Sequence, residues 1–488
     1  MKLLTTFLTF LFAGYLSAAT FYIDFATGSD SNTSVQAQSQ STPWKHMLGM
    51  SGVTGNAALY SVQSGDVFVL KGGSTWIFTS TTDDLLTVPA SGITIRGGQQ
   101  LSTPWGSGLP ILNGMGSTNT RSGIYSLNKS SITIDGIKIY GTCYLANGSG
   151  NGIAVFSAAS SWDVGNCLLD SCGVDALAYS PLSGSGFFFH GNTVQNCGRV
   201  HIAIDAGVTF DNVQLYNNTM LGPGTWPAGS NHADGFMIGA SSATYPSTFT
   251  NILIYNNKFA GDWAQGATAL IYLNSTTMGP AGGYHCKIYN NQFCIDSNGV
   301  LSPAIVAVYY GWKDVQIYNN TFNAVATGAN AIQAAIFCAN LNSDAGVVIE
   351  NNIISGCTNG IIATDLTTSA GLTADYNLYQ TTGNNDFIWD KNNRWNTLAA
   401  LRAQGYEAHG AMTTDPKFVT LPNGTTGYGN WALQSGSPAI GAGVQLNSIF
   451  TTDILGTTRG AVWDMGAFQS MNPPTVAPSN VHTAITVH

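Results

Sequence analysis

VQLYNNTM (213–220), ILIYNNKF (252–259), CKIYNNQF (286–293) and VQIYNNTF (315–322) are four versions of one eight-residue unit. Weaker copies are ITIDGIKI (132–139), WDVGNCLL (162–169), FFFHGNTV (187–194), VVIENNII (347–354) and LTADYNLY (372–379). Their starts lie 30, 25, 26, 39, 34, 29, 32 and 25 residues apart. Within each copy apolar residues alternate with a period of two, which predicts a strand with one buried face. The Asn pair then bends the chain, and a second apolar run follows: GIAVF (152–156), ALAY (176–179), IAI (202–204), GFMI (235–238), ALIYL (269–273), AIVAVYY (304–310), AIQAAIF (331–337) and GIIA (360–363). Strand, Asn turn and strand, with no helix pattern between, predict coils stacked into a parallel β-solenoid. One coil cannot bury its own inner face, so the stack is the core. The Asn side chains are expected to hydrogen-bond from coil to coil inside it, as in other parallel stacks.

Composition agrees. Charged residues make up 8% of the chain, against an average of roughly 25%. Of the 25 acidic residues only Glu350 and Glu407 are glutamates, and 57 glycines accompany abundant Asn, Ser and Thr. Asp favours turns and caps where Glu favours helix interiors, so this is turn-rich β-structure. With 16 basic residues against 25 acidic ones, nucleic acid is excluded as a partner.

The first residues read as an export signal: Lys2, the apolar run LLTTFLTFLFAGYL, and Ser17-Ala18-Ala19 for cleavage after Ala19. No later stretch reaches about 18 apolar residues, so no membrane span is expected. The expected location is secreted or periplasmic. Residues 1–19 are thus a signal peptide, 20–470 the solenoid, and 471–488 a tail that includes PPTVAPSNVHTAITVH (473–488). NRWNTLAALRAQG (393–405) carries the one helix signal, closed by Gly405. Eight cysteines allow 105 pairings. Cys172 and Cys197 share a coil position, which permits either a disulfide or a stack of buried thiols.

The coils resemble those of the right-handed parallel β-helix, pectate-lyase-like superfamily. TFYIDFATGSDSN (20–32) with TPWKH (42–46) looks like the N-terminal strand and cap of its bacterial secreted members. DPKF (415–418), LQSGSPAIGAG (433–443) and WDMGAF (463–468) look like their C-terminal closing region. The resemblance implies an all-β chain, a single right-handed parallel β-helix of about ten coils, capped at both ends. It also implies a monomer whose partner is a polysaccharide. It is poor for function, because the superfamily holds lyases, hydrolases, epimerases and adhesins.

Within this frame NHADGFMIG (231–239) stands out. Laying the second strands over one another places Asn151, Asp175 and Asp234 just ahead of the strand in coils one, two and four. Coil three puts Val200 or His201 there, depending on a one-residue register. Arg199 and His232 lie one or two positions earlier, so Asp175, Arg199, His201, His232 and Asp234 converge on one edge. Asp205 extends the row. The small Ala176, Ala178, Ala203, Gly235 and Gly239 leave room for a substrate, and GPGTWPAGSN (222–231) is long enough to wall a groove. Trp226, Trp263 and Trp312 offer flat surfaces for sugar rings. Lys258 and Asp262, beside Trp263, are weaker candidates.

Three readings fit these residue types. A lyase needs a base beside a uronate carboxylate and a neutraliser for the growing charge. Lyases of this fold use Arg, Lys or His as base, often with calcium. The resemblance therefore implies Arg199 or His232 as base, with Asp175, Asp205 and Asp234 as calcium ligands. A hydrolase needs two carboxyls; Asp175 and Asp234, two coils apart, are separated by roughly 10 Å, close to the roughly 6.5–9.5 Å of inverting enzymes. The tripartite Asp motifs of polygalacturonases and the DPHD-type epimerase motif are absent. The third reading is a non-catalytic glycan-binding or surface protein, in which Asp before Gly only caps a turn.

Overall fold

Each eight-residue unit contributes two strands, not one. In the unit at 213–220 the chain runs extended through Thr209–Tyr216, turns at Asn217 and Asn218, and runs extended again through Thr219–Leu221. The second apolar run supplies a third strand, Asp234–Ala240. A coil therefore has three strands, and stacking them yields three sheets, each of 12 strands. The computed structural model describes residues 18–470 apart from 79–82, 116–121, 143–149, 158–159, 182, 206–208, 223–233, 241–247, 262, 264–267, 276–282, 296–303, 310, 325–333, 340–345, 364–370, 382–385, 391–392 and 421–429. The predicted signal peptide up to Ser17 and the tail 471–488 lie outside the described residues.

The first sheet runs from Thr20–Ile23 to Leu372–Asp375, and the second from Thr75–Ile77 to Ala411–Thr413. The third runs from Leu86–Thr87 to Ile388–Asp390 and ends in the antiparallel strand Asn393–Trp395. Otherwise pairing is parallel, with like positions in register, for example Val213↔Ile252 and Ile252↔Cys286. Each return to the same sheet is a crossover, and crossovers between parallel strands are right-handed. The chain is a right-handed parallel β-helix. It has more coils than the ten expected, because Thr20–Ile23, Val67–Leu70 and Thr94–Gly97 belong to the first sheet without carrying the Asn pair that marks the repeat.

The two asparagines of the pair have different tasks. The first turns the corner with a left-handed backbone: φ is 56° at Asn217 and Asn256, 53° at Asn290 and 48° at Asn319, a region Asn tolerates better than most residues. The second points inward and builds the ladder Asn192, Asn218, Asn257, Asn291, Asn320, Asn352, Asn377. Asn257 shows the pattern. Its Oδ1 accepts from the backbone N–H and Nδ2 of Asn218 (3.1 and 2.9 Å), and its Nδ2 donates to Leu215 O (2.8 Å) and Asn291 Oδ1 (3.0 Å). A fully buried amide is thereby satisfied. Beside the ladder, inward rings stack on successive coils: Phe259 on Phe293 at 5.0 Å and Phe293 on Phe322 at 4.9 Å.

At the N-terminal end Phe21 stacks on Trp44 at 4.9 Å. At the other end the helix signal shrinks to Leu398–Ala403, capped by Thr397 Oγ1, while 393–395 is strand; Leu401 seals the core. Residues 431–468 fold back outside the Asn corner, where Asn290 donates to Thr452 O, Asn319 to Asp464 O and Gly466 O, and Asn351 to Val444 O. Cys172 and Cys197 are buried thiols on adjacent coils, not a disulfide. Among the described residues no helix is long and apolar enough to cross a membrane.

Candidate functional site

The edge singled out in sequence is the corner where the second sheet passes into the third. The register settles there: Val200 pairs with Asp234, and Leu177 with Ile202, so the column runs Asn151, Asp175, Val200, Asp234. Its side chains form a second, shorter series of rung-to-rung bonds. Asn151 Oδ1 accepts from Asp175 N (3.1 Å), Asp175 Oδ1 from Val200 N (3.3 Å), and Asp234 Oδ1 from Ala269 N (2.9 Å) and Thr268 N (2.7 Å). Here the earlier coil supplies the acceptor, whereas in the Asn ladder the later coil does.

Arg199 forks onto Asp175, with Nε to Oδ1 at 2.9 Å and Nη2 to Oδ2 at 2.7 Å. Asp175 is 2% exposed and Arg199 41%. Burial pushes the Asp175 carboxyl up, and the guanidinium pulls against it. Arg199 is held above its usual range, first by its bonds to Asp175 and also by the charges of Asp234 and Asp205. A guanidinium so placed neutralises charge and is a poor base. Asp205 stands at the far end of the strand Val200–Ile204, its N–H on Tyr179 O, five residues past Val200 and so roughly 16 Å along the chain.

The donor set does not fit calcium. Both oxygens of Asp175 are engaged by Arg199, Oδ1 of Asp234 holds two backbone amides, and Asp205 is at the other end of the strand. Among the described residues no three His, Cys, Asp or Glu side chains gather to hold a metal.

His201 is not on the groove. It shares a column with Ala176, Gly235 and Leu270, is 1% exposed, and lies 5.0 Å from the Trp263 ring. Neither ring nitrogen has a hydrogen-bond partner, and burial lowers its pKa to about 3, so it is neutral. Trp263 and Trp312 are buried too and present no face to a sugar. Lys258 lies at the Asn-turn end of Lys258–Ala260 on the second sheet, away from this corner. His232, Trp226 and Asp262 lie outside the described residues.

Sequence reasoning missed an aromatic group on the outside of the third sheet. Tyr272, Ala307 and Phe337 occupy one outward column, and the Tyr309 ring lies 5.2 Å from Tyr272 and 5.4 Å from Phe337. All three rings are partly exposed. The signal was present in ALIYL and AIVAVYY, where tyrosine falls on the outward beat of the alternation. Burial raises Tyr272 to about 12, with Tyr309 and Asp234 adding to the effect.

No protein-family model matches the chain, and no curated protein does. Among solved structures it is similar to the pectate lyase Pel9A, with 15% identity over 93% of this chain and 97% of that one and a TM-score of 0.35. A rhamnogalacturonan lyase shares 13% identity over 86% and 97%, with a TM-score of 0.38. The GH136 lacto-N-biosidase from Eubacterium ramulus shares 11% over 81% and 67%, with a TM-score of 0.37. These are similarities in the winding of the chain and say nothing of which residues act.

Proposed function

We propose that the protein is a secreted carbohydrate-active protein that cleaves an acidic polysaccharide by β-elimination along the outside of the third sheet. The supporting observation is how the carboxyls at the Arg199 edge are spent. Hydrolysis needs one carboxyl as acid and another as base or nucleophile. Asp175 gives both oxygens to Arg199, and Asp234 is fully buried with Oδ1 on two backbone amides. Elimination needs only a base and a neutraliser for the charge that grows on the uronate carboxylate. Arg199, ionised and two-fifths exposed, suits the second role. His232, two residues before Asp234, is the proposed base. The partly exposed Tyr272, Tyr309 and Phe337 supply apolar surface for neighbouring sugar rings.

One observation favours a second reading. Two carboxylates, Asp175 and Asp234, share the corner with the single guanidinium of Arg199, so the edge is net negative among the described residues and suits a neutral glycan that is bound without being cleaved. A panel of uronic and neutral polysaccharides separates the readings. Unsaturated products absorbing in the ultraviolet, lost in Arg199→Ala and His232→Ala, support elimination. New reducing ends without that absorbance overturn it in favour of hydrolysis, and retention of a glycan without products overturns it in favour of binding.

A further inference from the structure

A cleft of about 420 Å³ opens at the N-terminal end of the solenoid, at the corner between the first and second sheets. Asp24, Phe25 and Ala26 line it from one coil, Lys71, Gly72, Gly73, Ser74 and Thr75 from the next, and Ser107 from a third. None of these residues belongs to the Arg199 edge, which lies on a different corner.

The cleft is rigid because a buried carboxylate ties its walls. Asp24 Oδ1 accepts from Ala26 N (3.0 Å) and Ser74 Oγ (3.0 Å), and Oδ2 from Thr27 Oγ1 (2.6 Å) and Lys71 Nζ (2.8 Å). Four donors fill the carboxylate's acceptor positions. Asp24 is fully buried and held at about 2, burial opposing and its four donors outweighing it. The backbone floor is equally fixed. A Cβ on Gly72 would meet Gly108 O at 2.8 Å, and one on Gly73, whose φ is 77°, would meet Ser107 O at 2.7 Å. Only glycine lets these coils approach so closely.

The chemistry of the lining selects among ligands. Lys71 is a third exposed and its charge is cancelled at contact by Asp24, so this pair adds no net charge to the cleft. Lys71 keeps N–H donors beyond the one spent on Asp24, and Ser107 and Thr75 line the cleft with it. The partly exposed Phe25 ring gives an apolar wall, steadied by Lys45 Nζ at 4.6 Å from its centroid. Polar residues around a preformed floor, one aromatic wall and a lysine whose charge is already met by Asp24 fit a pyranose, with its alternating C–H and O–H groups. A lining this polar does not fit an acyl chain. The volume lies within the range of small-molecule sites.

We propose that this cleft is a binding site for a neutral sugar residue, separate from the Arg199 edge and independent of the reaction proposed there. Two cleft-filling variants test it. Ser107→Trp and Ala26→Trp change exposed rim positions and leave the Asp24 bonds in place. Methyl glycosides of glucose, galactose and mannose, with glucuronate as the charged control, are titrated by saturation-transfer NMR. Saturable millimolar binding of a neutral glycoside is expected. It should weaken at least about tenfold, some 1.4 kcal/mol or more, in either variant, with unchanged melting temperature, and persist in Arg199→Ala. The proposal is overturned if no neutral glycoside binds saturably, if both folded variants bind as well as the wild type, or if glucuronate binds more tightly.

Discussion

Asn377 passes the asparagine ladder to a carboxyl group: its Nδ2 donates to Glu407 Oε1 at 2.7 Å and its backbone N–H to Oε2 at 3.1 Å. Tyr379 completes the arrangement, its hydroxyl donating to Oε1 at 2.7 Å. One of only two glutamates in the chain thus ends a series of amides.

This placement makes stability fall as pH rises. Burial pushes Glu407 from 4.5 to about 7 although Tyr379 and Asn377 pull it down, and burial with Asp375 pushes Glu350 to about 7. The folded state therefore prefers both groups protonated. Their contribution is full below about 4.5 and is lost as pH rises through about 7. Urea midpoints between pH 4.5 and 8 should decline in the wild type, and the decline should shrink in Glu407→Gln. A pH-independent midpoint in the wild type would contradict the assignment.

The two asparagines of a pair should respond differently. Asn257→Ala removes an amide whose four partners are buried and should cost about 2–4 kcal/mol by leaving Asn218 and Asn291 unsatisfied. Asn256→Gly should be nearly neutral, because glycine takes φ of 56° without strain. Equal losses of melting temperature in the two variants would refute the division of labour.

The repeat made the solenoid legible because its period is carried by side chains that must be there: inward apolar residues and one amide per coil. Which asparagine forms the ladder was not legible, since YNN reads alike at both positions. The early coils were hidden for the opposite reason, as they bury apolar strands without the Asn pair. At the candidate edge the convergence of Asp175, Arg199 and Asp234 was readable from register. Their mutual spending was not, because hydrogen bonds to Val200, Thr268 and Ala269 N–H leave no mark on residue type. His201 shows the limit best, since one position of register separates the corner column from the interior.

Arg199 and Asp234 should separate structure from chemistry. Arg199→Ala leaves the buried Asp175 carboxyl without its two side-chain donors and should destabilise by roughly 1–3 kcal/mol, less than for a fully buried pair because Arg199 is two-fifths exposed. Asp234→Asn keeps an oxygen for Thr268 and Ala269, so melting temperature should change little. Loss of turnover in Asp234→Asn on a substrate the wild type cleaves, with the fold intact, places the chemistry at this edge. Full turnover leaves Asp234 as a tie between coils.

His201 should limit stability in acid. Burial depresses its pKa to about 3, so its neutral form favours folding above the ordinary value of 6.5, and that contribution is lost as pH falls from there toward 3. His201→Phe fills similar space beside Trp263 without two unpartnered nitrogens. It should raise the melting temperature at pH 7 and flatten the acid limb. An unchanged acid limb would mean that another group sets it.

A stack of near-identical coils has a weakness: each coil holds only its neighbours, so the end can peel one turn at a time. Residues 444–466 counter this by gripping Asn290, Asn319 and Asn351 on three successive turns. To peel the last of these turns is to tear away the strap that binds all three. Those three turns of the spring therefore come apart together, and they resist a protease that waits for a single loose turn.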